Sequence, residues 1–192
     1  MKNIRRLAVY CGSASGAEPK FADAARATAE AMAASSVDLV YGGGRLGLMG
    51  LMADSVLELG GRVYGVIPKA LVDIEVAHCG CTELHKVADM HQRKAKMTEL
   101  ADGFLALPGG IGTLDELFEA WSWKALGYHK KPFCLLNVDG FWDGLIDFID
   151  HATASGFLSP ARRRQLLVAN SPGEALQLLD EAAEGATQGM VW

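Results

Sequence analysis

The stretch Gly103-Phe104-Leu105-Ala106-Leu107-Pro108-Gly109-Gly110-Ile111-Gly112-Thr113-Leu114-Asp115-Glu116 decides how this chain folds. Its first five residues form an apolar run that reads as a buried strand. From Leu114 to Leu126 the pattern becomes amphipathic and predicts a helix, drawn here as Thr113–Leu126. Between strand and helix lies a glycine-rich turn. Such a turn leaves backbone N–H groups bare at a helix N-terminus, where the orphan donors and the positive end of the helix dipole both face an incoming anion. Thr113 adds a hydroxyl, and Glu116 adds a carboxylate one turn further in. The same residues also fit a capping box, with Thr113 at the N-cap and Glu116 at N3. The chain uses that grammar again at Ser171-Pro172-Gly173-Glu174, but without a glycine turn. Three glycines against a strand end favour phosphate binding at Gly109–Thr113.

Outward from this unit, apolar runs alternate with helical patterns along the whole chain. Strands are predicted at Leu7–Cys11, Val37–Tyr41, Arg62–Ile67, Glu83–Val87, Phe104–Leu107, Pro132–Asn137 and Leu166–Val168. Helices are predicted at Pro19–Ala34, Leu48–Leu59, Met90–Ala101, Thr113–Leu126, Trp142–Ser155 and Pro172–Ala183, with a shorter piece at Ser159–Arg163. Strands rich in Leu, Val and Ile without clean alternation suit a parallel sheet covered on both faces. The expected fold is a Rossmann-like, doubly wound α/β sheet with helices on both sides. At 192 residues, with half of them hydrophobic, the chain is expected to form a single nucleotide-binding domain over residues 1–192.

Two further glycine turns follow strands, Gly12-Ser13-Ala14-Ser15-Gly16 and Gly42-Gly43-Gly44-Arg45-Leu46-Gly47. In a parallel sheet all three turns share the carboxyl edge, where such folds bind ligands. The first lacks the spacing of the dinucleotide fingerprint. The second approaches it, but no acidic residue ends the next strand to hold a ribose hydroxyl, and no turn carries a Walker A lysine.

Composition narrows the function. A net charge of -5 offers no basic stripe for nucleic acid. No apolar run reaches membrane-spanning length, and the run after the basic N-terminus, Leu7–Cys11, is too short for a signal-peptide core. The expectation is a cytoplasmic protein. Cys11 and Cys134 lie in apolar runs and read as buried thiols. His78-Cys79-Gly80-Cys81 lacks a second ligand cluster, so no metal is expected there.

The segment Asp89-Met90-His91-Gln92-Arg93-Lys94-Ala95-Lys96-Met97 opens a helix whose apolar stripe is marked by Met90, Met97 and Leu100. Arg93 and Lys94 are read as lying off that stripe. Their ordinary meaning is a solvated face, with Asp89 and Arg93 as an i,i+4 ion pair. Their functional meaning is recognition of a phosphate or a purine, for which the planar fork of arginine is suited. His91 offers a general base, but a histidine near a helix start is more often a capping or surface residue, and Glu75, in a polar loop after Pro68, reads as surface.

The motifs Pro108-Gly109-Gly110-Ile111-Gly112-Thr113-Leu114-Asp115-Glu116 and Met90-His91-Gln92-Arg93-Lys94 resemble those of the LOG family of cytokinin riboside 5'-monophosphate phosphoribohydrolases, often mislabelled as lysine decarboxylases. The likeness runs from Leu7 to Phe157 through Val9–Ser13, Tyr41–Gly44, Gly47–Gly50 and Leu136–Gly140. It implies hydrolysis of the N-glycosidic bond of nucleoside 5'-monophosphates, such as a cytokinin riboside 5'-monophosphate or AMP, to free base and ribose 5-phosphate. It implies Arg93 and Glu116 as the catalytic pair. Substrate contacts would fall to Glu75, Lys94, Gly109, Gly110, Gly112 and Thr113. It also implies no cofactor or metal, and a homodimer or larger homo-oligomer with the site near the subunit contact. Ala14, Ile111 and the pair Arg45-Leu46 depart from common family residues near the expected pocket and bear on base preference.

In the implied reaction Glu116 would stabilise a cationic sugar, activate water, or do both. Arg93 would offset charge on the leaving base or orient the nucleotide. Two rivals stand beside this reading. Pyridoxal-dependent decarboxylation needs a Schiff-base lysine with an acidic partner for the ring nitrogen, and no such site is evident. A non-catalytic nucleotide sensor or carrier would use the same turn, and is separated from an enzyme by product release.

Overall fold

The computed structural model describes residues 3–74 and 76–188. A seven-stranded, wholly parallel sheet carries the chain. Its strands are β1 (Arg6–Tyr10), β2 (Asp38–Tyr41), β3 (Val63–Pro68), β4 (Glu83–Val87), β5 (Gly103–Ala106), β6 (Phe133–Leu136) and β7 (Leu166–Ala169). The helices are α1 (Pro19–Ala34), α2 (Gly47–Glu58), α3 (Met90–Leu100), α4 (Ile111–Ala125), α5 (Asp143–Ala154), the short α6 (Pro160–Arg163) and α7 (Pro172–Gln188). All the predicted elements exist, and the Rossmann-like expectation holds.

Alternation along each central strand divides the core in two, because successive side chains point to opposite faces. Leu7, Val9, Leu105 and Leu107 pack with Ala29 and Met32 of α1, Met52 and Val56 of α2, and Leu176 and Leu179 of α7. Ala8, Tyr10, Phe104 and Ala106 pack with Met97 of α3, Leu117 and Trp121 of α4, and Ile149 of α5. Each fully buried Leu or Phe contributes about 1.5–3 kcal/mol against leaving it in water. Both faces are therefore dry, which is why the strands read as continuous apolar runs.

The strand order is β4-β3-β2-β1-β5-β6-β7. The chain winds outward from β1 to β4, crosses back through α3, and winds the other way from β5. The reversal falls between β1 and β5, and the crevice outside their carboxyl ends is where such sheets bind ligands. Asp102 fastens the opposite end of this pair: one carboxylate oxygen accepts the N–H groups of Arg5 and Arg6, both at 2.9 Å. At the crevice end Leu107 N–H donates to the Tyr10 carbonyl at 2.9 Å, and Gly12 N–H donates to the Pro108 carbonyl at 3.2 Å. Among the described residues, no helix is long and apolar enough to cross a membrane.

Candidate active site

Helix α4 starts two residues earlier than the sequence pattern indicates. Its N-cap is Gly110, so Thr113 stands at N3 and the capping-box reading fails at this helix. The Thr113 side chain turns back and is buried against Gly109. A Cβ on Gly109 would stand 2.1 Å from Thr113 Oγ1 and 2.9 Å from Gly12 N, which is why this position has no side chain. No side chain caps α4, and the N–H groups of Ile111, Gly112 and Thr113 donate to no other described residue. By contrast, Asp89 caps α3 by accepting from Gln92 N–H at 2.8 Å. At α7 Ser171 Oγ accepts from Glu174 N–H as the capping pattern predicts, while Glu174 Oε2 accepts from Asn170 N–H, one residue before the N-cap that a capping box would use. This uncapped turn at the crevice thus keeps its donors available to an anion, whereas at α2, which also lacks a side-chain cap, Met49 N–H donates to the Gly12 carbonyl.

A cleft of about 350 Å³ opens beside this turn. Gly110–Thr113 and Glu116 form one wall, Arg93 the polar floor, and Met49, Leu71 and Met90 an apolar side. A second hollow of about 260 Å³, lined by Ser13–Gly16, Phe21 and Phe141, adjoins it across Gly12 and Gly110. Gly110 and Gly112 have open space where a Cβ would stand. The fold does not require their small size, and both line the cleft.

Arg93 overturns the solvated-face reading. It is only 4% exposed, and its Nη2 donates to the Gly42 carbonyl at 3.0 Å. A Cβ on Gly42 would lie 1.9 Å from that nitrogen, so the first residue of the second glycine turn is small to admit the guanidinium. Asp89 Oδ1 caps the helix while the Arg93 guanidinium turns toward Gly42, and among the described residues the expected Asp89–Arg93 pair is not formed. A signal for the burial was present: positions 90, 93, 97 and 100 share one helical face, so Arg93 lies on the apolar stripe and not off it.

Glu116 faces the end of β1. Burial, and after it the charge of Glu116, pushes the Cys11 thiol well up; burial, then Glu116 and Glu119, do the same to the Tyr10 phenol. Lys94 lies elsewhere. It bonds Asp115 at 3.1 Å and also pairs with Glu119, tying α3 to α4, and it does not line the cleft. Its partial burial opposes the charge, but the bonds to Glu119 and Asp115 outweigh it and hold the ammonium pKa above its ordinary value. The structure therefore brings together Arg93, Gly110, Gly112, Thr113 and Glu116. Gly109 lies behind them at the second hollow, Lys94 is engaged beside them, and Glu75 lies outside the described residues. His91 is exposed, its ring edge-on to Trp123. His78, the first residue of the His78-Cys79-Gly80-Cys81 run, is buried and bonded to Asp54 and Gly80.

The family model described as "Possible lysine decarboxylase" matches residues 49–179. Cytokinin riboside 5'-monophosphate phosphoribohydrolase LOG of Oryza sativa subsp. japonica is 46% identical over 189 residues, covering 98% of this chain and 78% of that protein. The chain belongs to the LOG family. Two Arabidopsis thaliana proteins of the same name agree: LOG7 is 46% identical over 98% of this chain and 88% of its own, and LOG2 is 48% identical over 93% and 84%. Among solved structures, the molybdenum cofactor binding protein of Rippkaea orientalis superimposes with a TM-score of 0.70 at 20% identity, covering 94% of this chain and 98% of that one. That likeness is one of fold alone. Among the described residues, no lysine lines the cleft or the adjoining hollow.

Proposed function

We propose that this chain hydrolyses the N-glycosidic bond of nucleoside 5'-monophosphates, cytokinin riboside 5'-monophosphates or AMP, to free base and ribose 5-phosphate. The observation that carries the reading is the layout of α4. Uncapped amides at Gly110–Thr113 and the Glu116 carboxylate lie one turn apart on one cleft wall, over the buried Arg93. That spacing suits a 5'-phosphate on the amides with the sugar beside the carboxylate. The 46%-identical relatives named as phosphoribohydrolases support the same activity.

In the proposed reaction the C1'–N bond breaks and its electron pair leaves with the base. Positive charge develops on the sugar, and Glu116 offsets it and takes a proton from the attacking water. The water oxygen bonds C1' and keeps one proton as the new hydroxyl; Glu116 gives up the other to solvent as the departing base nitrogen takes one up. Arg93, desolvated and fixed by Gly42, counters the negative charge growing on the leaving base. Met49, Leu71 and Met90 give the base an apolar wall. Gly109 and Thr113 shape the phosphate turn; Lys94 serves it by holding α3 against α4.

The chain is further proposed to act as one domain, in the cytoplasm, as a homodimer or larger homo-oligomer. Four free cysteines, one of them exposed, suit a reducing compartment. Ile111 (84% exposed) and Phe118 lie on one face of α4, and Phe157 (91% exposed) stands over an adjoining apolar groove of about 270 Å³. Such a patch marks an interaction surface, and because Ile111 also lines the cleft, a contact there adjoins the site.

Incubation with a panel of nucleoside monophosphates, followed by separation of free bases, tests the activity. Base and ribose 5-phosphate in equal amounts from a 5'-monophosphate, with none from the nucleoside, is the expected result. Tight nucleotide binding with no released base would leave a carrier.

A further inference from the structure

His78 lies outside the cleft and is 3% exposed. Its Nδ1 accepts the backbone N–H of Gly80 at 3.1 Å. A backbone amide can only donate, so the ring proton sits on Nε2, which donates to Oδ1 of Asp54 on α2 at 2.9 Å. The segment ending at His78 is stitched to the glycine turn after β2. Gly44 bridges Ala77 in antiparallel fashion. Arg45 N–H donates to the Val76 carbonyl at 3.0 Å, and His78 N–H donates to the Gly43 carbonyl at 2.9 Å. Ala77 N–H closes onto the Val72 carbonyl at 2.8 Å, next to Leu71 in the cleft wall. One residue before Gly43, the Gly42 carbonyl holds Arg93.

Val76 has φ 49°, a left-handed conformation that β-branched residues avoid. Such a conformation persists only where the surroundings over-determine it, and it gathers near functional sites. We propose that the His78–Asp54 bond supplies that determination and makes His78 a positioning residue. It bolts segment 76–78 to α2, and through the glycine turn it fixes the Gly42 carbonyl on which Arg93 rests. The kinetic part of this proposal rests on the hydrolase reading; the structural part does not.

The test compares His78→Ala, Asp54→Asn and Asp54→Ala, the last at a half-exposed carboxylate that can be removed if His78→Ala fails to fold. Displacing a fixed catalytic group by a fraction of an ångström to one ångström lowers kcat about ten- to a hundredfold in His78→Ala and Asp54→Ala, with KM within about twofold because the phosphate turn is untouched. Asp54→Asn retains an acceptor for Nε2–H and keeps kcat near that of the parent. In an Arg93→Lys background, His78→Ala adds little, because the two act as one unit. Unchanged kcat per folded molecule, full additivity with Arg93→Lys, or an Asp54→Asn loss equal to that of Asp54→Ala overturns the proposal. Amide hydrogen exchange supplies an arm independent of turnover: Arg45 and His78 N–H lose protection in the Ala variants. If the parent protein shows no turnover, the hydrolase reading fails, and this exchange alone decides the fastening; unchanged protection overturns it.

Discussion

Gly112→Ala should stabilise the protein and weaken its substrate binding. Gly112 is the second residue of α4, and no atom beyond the helix's own backbone lies within 4 Å of where its Cβ would stand. Glycine in a helix costs about 0.8–1 kcal/mol relative to alanine, so the substitution should stabilise by up to roughly 1 kcal/mol near the helix start. For a chain of this length that corresponds to about 2–4 °C in Tm. The Cα–Cβ bond tilts toward the helix N-terminus, so the new methyl stands on the side from which the phosphate approaches. Loss of one hydrogen bond to a charged oxygen costs about 1.5–3 kcal/mol. KM for AMP should then rise about ten- to a hundredfold, at roughly 1.4 kcal/mol per factor of ten. Thermal melts and initial rates over a range of AMP concentrations read both quantities. A raised Tm with unchanged KM would refute the reasoning, because the methyl would have filled space the phosphate never enters.

Glu116→Gln keeps shape but removes the charge and the base; kcat should fall about 10²–10⁴-fold with little change in Tm, and near-parental release of ribose 5-phosphate would exclude Glu116 from the chemistry. His129 is held down to about 4, first by burial and then by the charge of Lys131. Below its ordinary pKa the unfolded chain takes up a proton that the folded chain refuses, so stability falls as pH drops from about 6.5 toward 4. His129→Gln should lessen that loss in urea melts at pH 7 and pH 5, and an identical loss in the variant would remove His129 as its cause. Burial pushes the Cys134 thiol up to about 12 and drives Cys11 up with help from Glu116; iodoacetamide at pH 8 should modify exposed Cys79 well before either, as peptide mapping would show. Phe157→Asp places a charge on the apolar patch beside α4 and should shift the assembly toward monomer in light scattering, whereas an unchanged mass would move the subunit contact elsewhere.

The parts legible in the sequence are those written locally. The run Phe104–Leu107, its glycine turn and the periodicity after it fix strand, turn and helix within a few residues of one another. Helix α1 matches its predicted span, Pro19–Ala34, because Pro19 marks its first turn and a polar break follows Ala34. The order of the strands is not local. Nothing near Leu7 says that β1 pairs with β5 nearly a hundred residues away, although that pairing creates the crevice. Arg93 shows the same limit more sharply. Its neighbours Lys94 and Lys96 suggest a wet helix face, and its true partner, the Gly42 carbonyl, lies 51 residues back. Thr113 was misplaced for a different reason: Thr-x-x-Glu fits a capping box wherever it occurs, and only the backbone shows that Gly110 already ends the loop. His78 carried a weak clue, as a lone histidine between apolar and small residues, but its bond to Asp54 joins a loop to a helix and leaves no local pattern.

The most direct measurement is a crystal structure of Glu116→Gln with AMP bound and uncleaved. The account predicts phosphoryl oxygens at hydrogen-bond distance from the amides of Gly112 and Thr113, about 2.7–3.2 Å, with C1' facing residue 116 and the adenine toward Arg93 and Met90. A phosphate seated away from the start of α4, or a sugar turned from residue 116, would contradict it.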